Sequence, residues 1–281
     1  MSAVPVRGVQ PIADKPVGVI DLLDGSFAAL RQRARTLAAI VAGLVVPLSL
    51  FQGWLSRNAL GGASFIDLVN DPTIAEEVSQ TGQVYDGAFF LSQLLGLLVT
   101  AIAGVSVSRV VYGWFLGQDT SVGDALGFTA RRIGPILGAF VIIHVLEAIG
   151  FVLLIIPGLA VLVLSSLTSP VLAVESLGPL ASMRRSWELV RRRAAPTVGL
   201  LMLLGLVQYG VSQALGTLPA IGALLLGPDR AWPLIAVANL MTSIILIPVN
   251  GAAMCLNYLD IRFRTEGLDL RRRADREFGS S

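Results

Sequence analysis

Residues Ile133 to Glu175 read IGPILGAFVIIHVLEAIGFVLLIIPGLAVLVLSSLTSPVLAVE, and this stretch decides the class of the protein. It is apolar for long enough to cross a bilayer twice, with one predicted break at Pro157-Gly158. About 20 apolar residues suit a membrane-spanning helix, whereas a water-soluble core does not need runs of this length. The stretch therefore predicts a membrane protein that crosses the bilayer several times.

The composition agrees with a membrane protein and excludes several kinds of site. Of 281 residues, 54% are hydrophobic and 14% are charged, whereas about a quarter of the residues in soluble proteins are charged. A single cysteine, Cys255, and a single histidine, His144, leave no internal disulfide and too few ligands for a metal cluster. No P-loop, GxSxG or HExxH motif is present. We therefore predict a non-enzymatic protein without a cofactor.

The expected architecture is all-α and polytopic, with six transmembrane helices arranged as three hairpins and with amphipathic surface helices. The spans are predicted at about residues 36–55, 88–116, 133–156, 159–174, 197–218 and 232–256, inside a membrane domain of residues 20–257. Residues 1–19 and 258–281 are predicted to be cytoplasmic tails, the second one charged. The fourth span is short and contains Pro170, so we expect it to be tilted, bent or partly re-entrant.

Three basic surface helices are predicted, one before each hairpin. The first has an apolar face at three- and four-residue spacings, formed by Ile20, Leu23, Phe27, Leu30, Ala34 and Leu37. The second opens with Ser121 and Asp124 at the spacing of a capping box, and the third covers Pro179 to Arg193. This recurrence indicates either an internal repeat of hairpins or the ordinary appearance of surface helices in front of hairpins.

The distribution of basic residues predicts the orientation of the chain in the membrane. With the N-terminus inside and six spans, every basic residue except Arg57, Arg109 and Arg230 falls on an inner segment or tail. Lysine and arginine accumulate on the cytoplasmic side of membrane proteins. The sequence therefore predicts a bacterial cytoplasmic (inner) membrane protein with both termini in the cytoplasm.

Four polar residues inside the predicted spans are candidates for a functional site: Arg109, His144, Glu147 and Asn250. His144 and Glu147 are three residues apart and share a helix face, and we expect Arg109 to reach His144 or to extend toward the inner surface. Ionisable groups inside a membrane are frequently functional, but the same residues could simply tie neighbouring spans together. Asn250 belongs to a set of amides and hydroxyls in the last two spans that could act as interhelical contacts or line a polar path: Gln208, Asn239, Thr242, Ser243, Asn250 and Asn257.

The third surface helix carries candidate contacts for lipid head groups, namely Arg184, Arg185, Arg191 and Arg192. Basic residues at a membrane surface gain about 1 kcal/mol each from anionic lipids, although the same residues could serve only as topology signals. We expect anionic lipids of the inner leaflet as partners, together with a possible second membrane protein. No nucleic-acid module is visible, so no nucleic acid is expected.

Several stretches resemble a known bacterial family. They are LLDGSFAALRQRARTL (Leu22 to Leu37), the PGL at Pro157 to Leu159, SPVLAVESLGPLASMRRSWELVRRR (Ser169 to Arg193) and YLDIRFRTEGLDL (Tyr258 to Leu270). They are similar to the glycerophosphoryl diester phosphodiesterase membrane-domain family. The resemblance implies a multi-pass membrane module. It does not imply the phosphodiesterase activity, because the residues outside the spans are too few for a catalytic barrel of about 250 residues.

Three functions remain open at this point, of which an intramembrane enzyme that would use Glu147 and His144 ranks last. The first is a non-enzymatic membrane module that serves as an accessory or scaffold in envelope or lipid-related processes. The second is a transporter or exporter of small solutes or lipids that uses His144 and Glu147 inside the membrane. The first is favoured because no catalytic constellation is present in the sequence.

Overall fold

A computed structural model describes residues 18–56, 64–71, 73–74, 76 and 87–267. The first five helices are α1 (Val19–Gln32), α2 (Ala34–Ser56), α3 (Phe65–Asn70), α4 (Gly87–Phe115) and α5 (Val122–Arg131). The next six are α6 (Ile133–Leu153), α7 (Ile155–Ser165), α8 (Thr168–Val174), α9 (Pro179–Arg192), α10 (Ala194–Leu226) and α11 (Pro228–Glu266). The described part of the chain contains no β-strand. The predicted tail of residues 1–19 lies outside this part, except for residues 18 and 19.

The described residues form six helical segments that are long and apolar enough to cross a membrane: Ala34–Leu55, Phe90–Phe115, Ile133–Leu153, Ile155–Val174, Ala194–Leu226 and Arg230–Glu266. Helices α7 and α8 together make up the fourth segment. The predicted all-α, six-span class is therefore confirmed, and the protein is a multi-pass membrane protein.

Helix α11 is the centre of the bundle, since it packs against α1, α2, α4 and α10. Two glycines bring backbones close together along it. A Cβ atom on Gly53 would lie 2.8 Å from Ala236 Cβ, and one on Gly251 would lie 2.7 Å from Val107 Cγ1. Small residues allow membrane helices to approach closely and gain van der Waals contact. α2 and α4 are thus held tightly against α11, at two different heights.

The turn between the third and fourth spans differs from the prediction. Leu154 leaves the helical conformation, with φ −168° and ψ 156°, and α7 has already begun at Ile155. Pro157 therefore stands in the first turn of α7, where its missing N–H has no partner to lose. The break is at Leu154 rather than at Pro157-Gly158. The fourth span begins at residue 155 rather than 159 and is interrupted between Ser165 and Thr168.

The last two spans are longer than predicted. α10 runs over Ala194–Leu226 and α11 over Pro228–Glu266, whereas the expected spans ended at residues 218 and 256. The first nine residues of the predicted charged tail from residue 258 belong to this helix, in which Tyr258 and Ile261 are fully buried. The helix continues because its charges form pairs at four-residue spacing, such as Arg264 Nε with Asp260 Oδ1 at 2.7 Å.

The three short helices before the hairpins lie at one end of the bundle, here called the basic end, which holds Arg33, Arg132, Arg185 and Arg262. The predicted capping box of α5 is confirmed, since the Asp124 backbone N–H donates to Ser121 Oγ at 3.1 Å. The predicted apolar face of α1 is only partly correct. Leu22, Gly25, Ser26 and Ala29 are its buried residues, whereas Ile20 is 68% exposed. α1 turns a face of small residues toward α11, where Leu256 Cδ1 would lie 3.0 Å from a Cβ on Gly25.

Candidate functional site

The four predicted intramembrane residues do not form one site. The guanidinium carbon of Arg109 lies 4.9 Å from the ring centroid of Phe128, on α5. His144 and Glu147 form a local pair on α6, with 3.9 Å between Nε2 and Oε2. Asn250 Nδ2 donates to Gln208 Oε1 at 3.4 Å, which joins α11 to α10. Arg109, the His144–Glu147 pair and Asn250 thus contact three different sets of neighbours. The expected contact between Arg109 and His144 is not formed.

His144 is held mainly by its own helix. Its Nδ1 lies 2.9 Å from the carbonyl oxygen of Phe140, one turn earlier, and the two rings are 4.2 Å apart. The His144 and Glu147 side chains are 32% and 21% exposed. This geometry indicates that His144 and Glu147 pair with each other at the surface of α6.

A polar cavity of about 510 Å³ lies elsewhere, between α2, α4 and α11. Seven polar side chains line it: Ser49 and Gln52 from α2, Gln93 and Thr100 from α4, and Asn239, Thr242 and Ser243 from α11. Val45, Leu48, Gly96, Leu97, Val99 and Ile247 complete the lining. The volume falls within the range of small-molecule sites, roughly 300–1,000 Å³.

Helical periodicity explains why these side chains meet. The two polar positions are three residues apart on α2 and seven apart on α4, and on α11 Thr242 and Ser243 follow Asn239 by three and four residues. On each helix they therefore lie on one face. Gly96 supplies room at the centre, because a Cβ there would lie 3.2 Å from Gln52 Nε2. Gln52 in turn donates from Nε2 to the carbonyl oxygen of Ser92 at 3.0 Å, which fixes α2 against α4.

The cavity lies at the depth of the hydrocarbon. Trp232 stands near the start of the sixth span, and tryptophan is enriched at membrane interfaces. Asn239 and Ser243 follow it by seven and eleven residues, which is about 10 and 16 Å along a helix. Toward the basic end the space is closed where Gly251 packs on Val107. The polar part of the cavity therefore extends from the side away from the basic end to about the middle of the membrane.

Most of the polar side chains that line the cavity form no hydrogen bond with the described residues. Thr100 Oγ1 donates to the Gly96 carbonyl oxygen at 2.8 Å, and Gln52 is bonded as described. The other five side chains have no hydrogen-bond partner within the described residues: Ser49, Gln93, Asn239, Thr242 and Ser243. A polar group removed from water without a partner costs about 1–3 kcal/mol in proteins. Ser49 is buried, Thr242 and Ser243 are half-buried, and Gln93 and Asn239 are exposed, so these five groups depend on water or a polar ligand in the cavity for their hydrogen bonds.

A second polar cluster lies at the basic end and joins α9 and α11 to the segment that follows α8. Arg185 Nε donates to both carboxylate oxygens of Glu175 at 3.1 Å, and Arg185 Nη2 donates to Glu266. Tyr258 Oη donates to Glu175 Oε1 at 2.9 Å. Arg262 Nη1 donates to Tyr258 Oη at 2.7 Å, and its Nε donates to Glu266 Oε2 at 2.9 Å. We call these five residues the ionic cluster.

Arg185 is thus a structural residue, and its prediction as a lipid contact is corrected. Its side chain is only 20% exposed. Burial alone would lower its pKa, but the hydrogen bonds to Glu266 and Glu175 outweigh this, and the pKa of Arg185 is raised. The other predicted arginines, Arg184, Arg191 and Arg192, are exposed.

Most of the chain matches a known protein family. Residues 14–258 match the model of a domain of unknown function, DUF7847. The chain belongs to the DUF7847 family. No solved structure matches the chain. The family match does not test the resemblance to the glycerophosphoryl diester phosphodiesterase membrane-domain family, which stays a prediction.

In this DUF7847 chain, sequence reasoning identified only part of the cavity. Asn239, Thr242 and Ser243 are visible as polar positions at helical spacing in the last span. The polar residues of α2 and α4 were not singled out, although Ser49 and Gln52 are three apart and Gln93 and Thr100 are seven apart. The available signal was the same spacing on three spans, but only the packing shows that the three faces converge.

Proposed function

We propose that the protein is a non-enzymatic membrane module that serves as an accessory or scaffold in envelope or lipid-related processes, and that it works by holding a polar ligand in the cavity between α2, α4 and α11. The observation that carries this proposal is a cavity of about 510 Å³ lined by five polar side chains that have no hydrogen-bond partner among the described residues. Polar groups at this depth in a membrane raise the free energy of the folded protein unless water or a ligand forms hydrogen bonds with them.

Ligand retention tests the proposal directly. The full chain is purified from native membranes in a mild detergent, and native mass spectrometry measures any bound non-protein mass. We expect a bound mass that is reduced in Asn239→Leu. Asn250→Leu is the matched control, because it removes an amide from the same helix outside the cavity. A bound mass that is absent from the natural chain, or equally present in both variants, contradicts the proposal.

The proposed location is the bacterial cytoplasmic membrane, with both termini in the cytoplasm. The placement of the arginines supports it, because the described segments at the basic end carry most of them and basic residues favour the cytoplasmic side. Reporter tags at the two ends should both be accessible only from the cytoplasm. A periplasmic signal from either tag refutes the orientation.

We also propose that exposed arginines of α9 contact anionic head groups of the inner leaflet. Arg191 lies over the ring of Trp187 at 5.8 Å, and Trp187 Nε1 donates to Ser165 Oγ at 3.1 Å, so this part of α9 is anchored. Changing Arg184, Arg191 and Arg192 together to Gln should reduce the phosphatidylglycerol retained by the purified protein. Retention that equals that of the unchanged chain contradicts this contact.

Transport is the second candidate function, and the cavity favours it more than His144 and Glu147 do. The latter pair does not line the cavity, so a transporter would use the cavity face of α11 instead. The contact of Gly251 with Val107 closes the space toward the basic end, as one state of an alternating-access cycle would require. Ligand flux in reconstituted vesicles that survives His144→Ala and Glu147→Gln but falls in Asn239→Leu would support transport over a purely binding role.

A further inference from the structure

We infer that the cavity takes the uncharged, hydroxyl-rich head group of a lipid from the leaflet away from the basic end. This inference rests on the proposed function, because it names the chemical class of the ligand that the cavity holds. It follows from the charge of the lining, from its hydrogen-bonding groups and from its exposure to the bilayer.

The cavity lining, as far as the structure describes it, carries no ionisable side chain. On the helices that form it, the nearest charged residues are Arg109, nine residues beyond Thr100, and Arg230, nine residues before Asn239. Nine residues are about 14 Å along a helix. A phosphate or carboxylate in a low-dielectric cleft needs a paired charge or strong donors such as arginine, and the described residues place neither within reach. The ligand is therefore electrically neutral.

The lining offers donors and acceptors in balance. Each amide supplies two N–H donors and a carbonyl acceptor, and each hydroxyl supplies one donor and acceptor sites. A head group with several hydroxyls is the neutral partner that satisfies both kinds, because every hydroxyl both donates and accepts. Acceptor-only groups would leave the carbonyl oxygens of Gln93 and Asn239 unpaired, at a cost in binding.

The arrangement of the lining also fits a head group attached to acyl chains. Gln93 and Asn239 stand toward the far end of α4 and α11, while the floor is formed by Val45, Val99 and Ile247. Leu97 both lines the cavity and is 48% exposed, so one wall of the cavity is itself a lipid-facing surface. Leu94, three residues before Leu97 on α4, continues that surface with an exposure of 52%. A lipid can place its chains there and its head group inside.

The test uses the purified full chain in detergent with three probes: a monoglucosyl diacylglycerol, free glucose and phosphatidylglycerol. Binding is measured by native mass spectrometry across a concentration series. We expect the glycolipid to bind most tightly. Asn239→Leu should weaken it about tenfold, since two hydrogen bonds contribute roughly 1.4 kcal/mol together. Asn250→Leu should leave it unchanged. If Asn239→Leu lowers the yield of folded protein, Thr242→Val removes one hydroxyl at constant shape and should weaken binding about threefold.

Each alternative outcome is informative. Tighter binding of phosphatidylglycerol, weakened by Asn239→Leu, overturns the neutral class but leaves the cavity as a ligand site. Glucose binding as tightly as the glycolipid overturns the lipid origin. Binding of none of the probes, while a native bound mass is still lost in Asn239→Leu, overturns this inference alone. If that native mass does not depend on Asn239, the proposed function fails as well.

Discussion

The ionic cluster gives the sharpest prediction, which concerns Glu175→Gln. Glu175 accepts hydrogen bonds from Arg185 and Tyr258, and its side chain is 17% exposed. Glutamine keeps the shape but removes the negative charge, so Arg185 and Arg262 are left to share Glu266. Breaking one partner of a fully buried ion pair costs about 3–5 kcal/mol. The partial exposure here reduces the expected loss of unfolding free energy to about 2–3 kcal/mol.

The same arginine provides a matched control. Arg185 Nη1 also lies 3.9 Å from Glu188 Oε2, but the Glu188 side chain is 63% exposed. Exposed ion pairs contribute roughly 0–1 kcal/mol. Glu188→Gln therefore removes the same charge from the same partner, at little cost. The two variants differ mainly in burial, which isolates the effect of desolvation.

The assay is thermal unfolding of the purified protein in detergent, followed by tryptophan fluorescence at a fixed heating rate. At about 2–4 °C per kcal/mol for a chain of this size, Glu175→Gln should lower the apparent Tm by roughly 4–12 °C, and Glu188→Gln by roughly 0–4 °C. The double variant Glu175→Gln with Arg185→Gln should cost less than the sum of the single variants, since the charges are coupled. Equal shifts for Glu175→Gln and Glu188→Gln would refute the cluster as a stabilising element.

Two further predictions concern packing and capping. Gly251→Ala should cost about 1–3 kcal/mol of stability, because its Cβ would overlap Val107. Gly205→Ala, with no atom within 4 Å of the new Cβ, should cause no loss, and equal Tm shifts would contradict the close contact. Ser121→Ala should raise the pKa of Asp124, because the Ser121 hydroxyl is the main cause of its lowered pKa. The stabilisation from that lowered pKa is present above the unfolded-state pKa and is lost as the pH falls through the folded-state pKa. A carboxyl NMR titration in which the Asp124 pKa does not move would refute this cap.

The spans were predictable because their signal is local. Runs of apolar residues decide each crossing without reference to any other part of the chain, and the Ser121–Asp124 cap is likewise confined to four residues. The end of α11 was missed for a different reason. Its charges after Tyr258 look like a solvated tail, but they pair along the helix at four-residue spacing. Glu175 and Arg185 then hold the same segment from another part of the chain.

The polar sites were less predictable, because they depend on the packing of distant segments. His144 and Glu147 stand out in the sequence as rare ionisable groups, yet they pair with each other on one helix. The cavity is built from common neutral residues, none of which is conspicuous alone. Gln52 and Ser243 are far apart in the chain, and only the close approach of α2 and α4 to α11 brings their faces together.

The two polar regions of the molecule differ in what holds them. At the basic end, each member of the ionic cluster has a protein partner, and the cluster joins α9 and the segment before it to α11. In the cavity, five side chains have no partner among the described residues. Stability alone would favour apolar residues at those five positions, since unpaired polar groups in a membrane are costly. The cost is offset only if something polar binds there, so the cavity, rather than the ionic pair on α6, is where binding is expected.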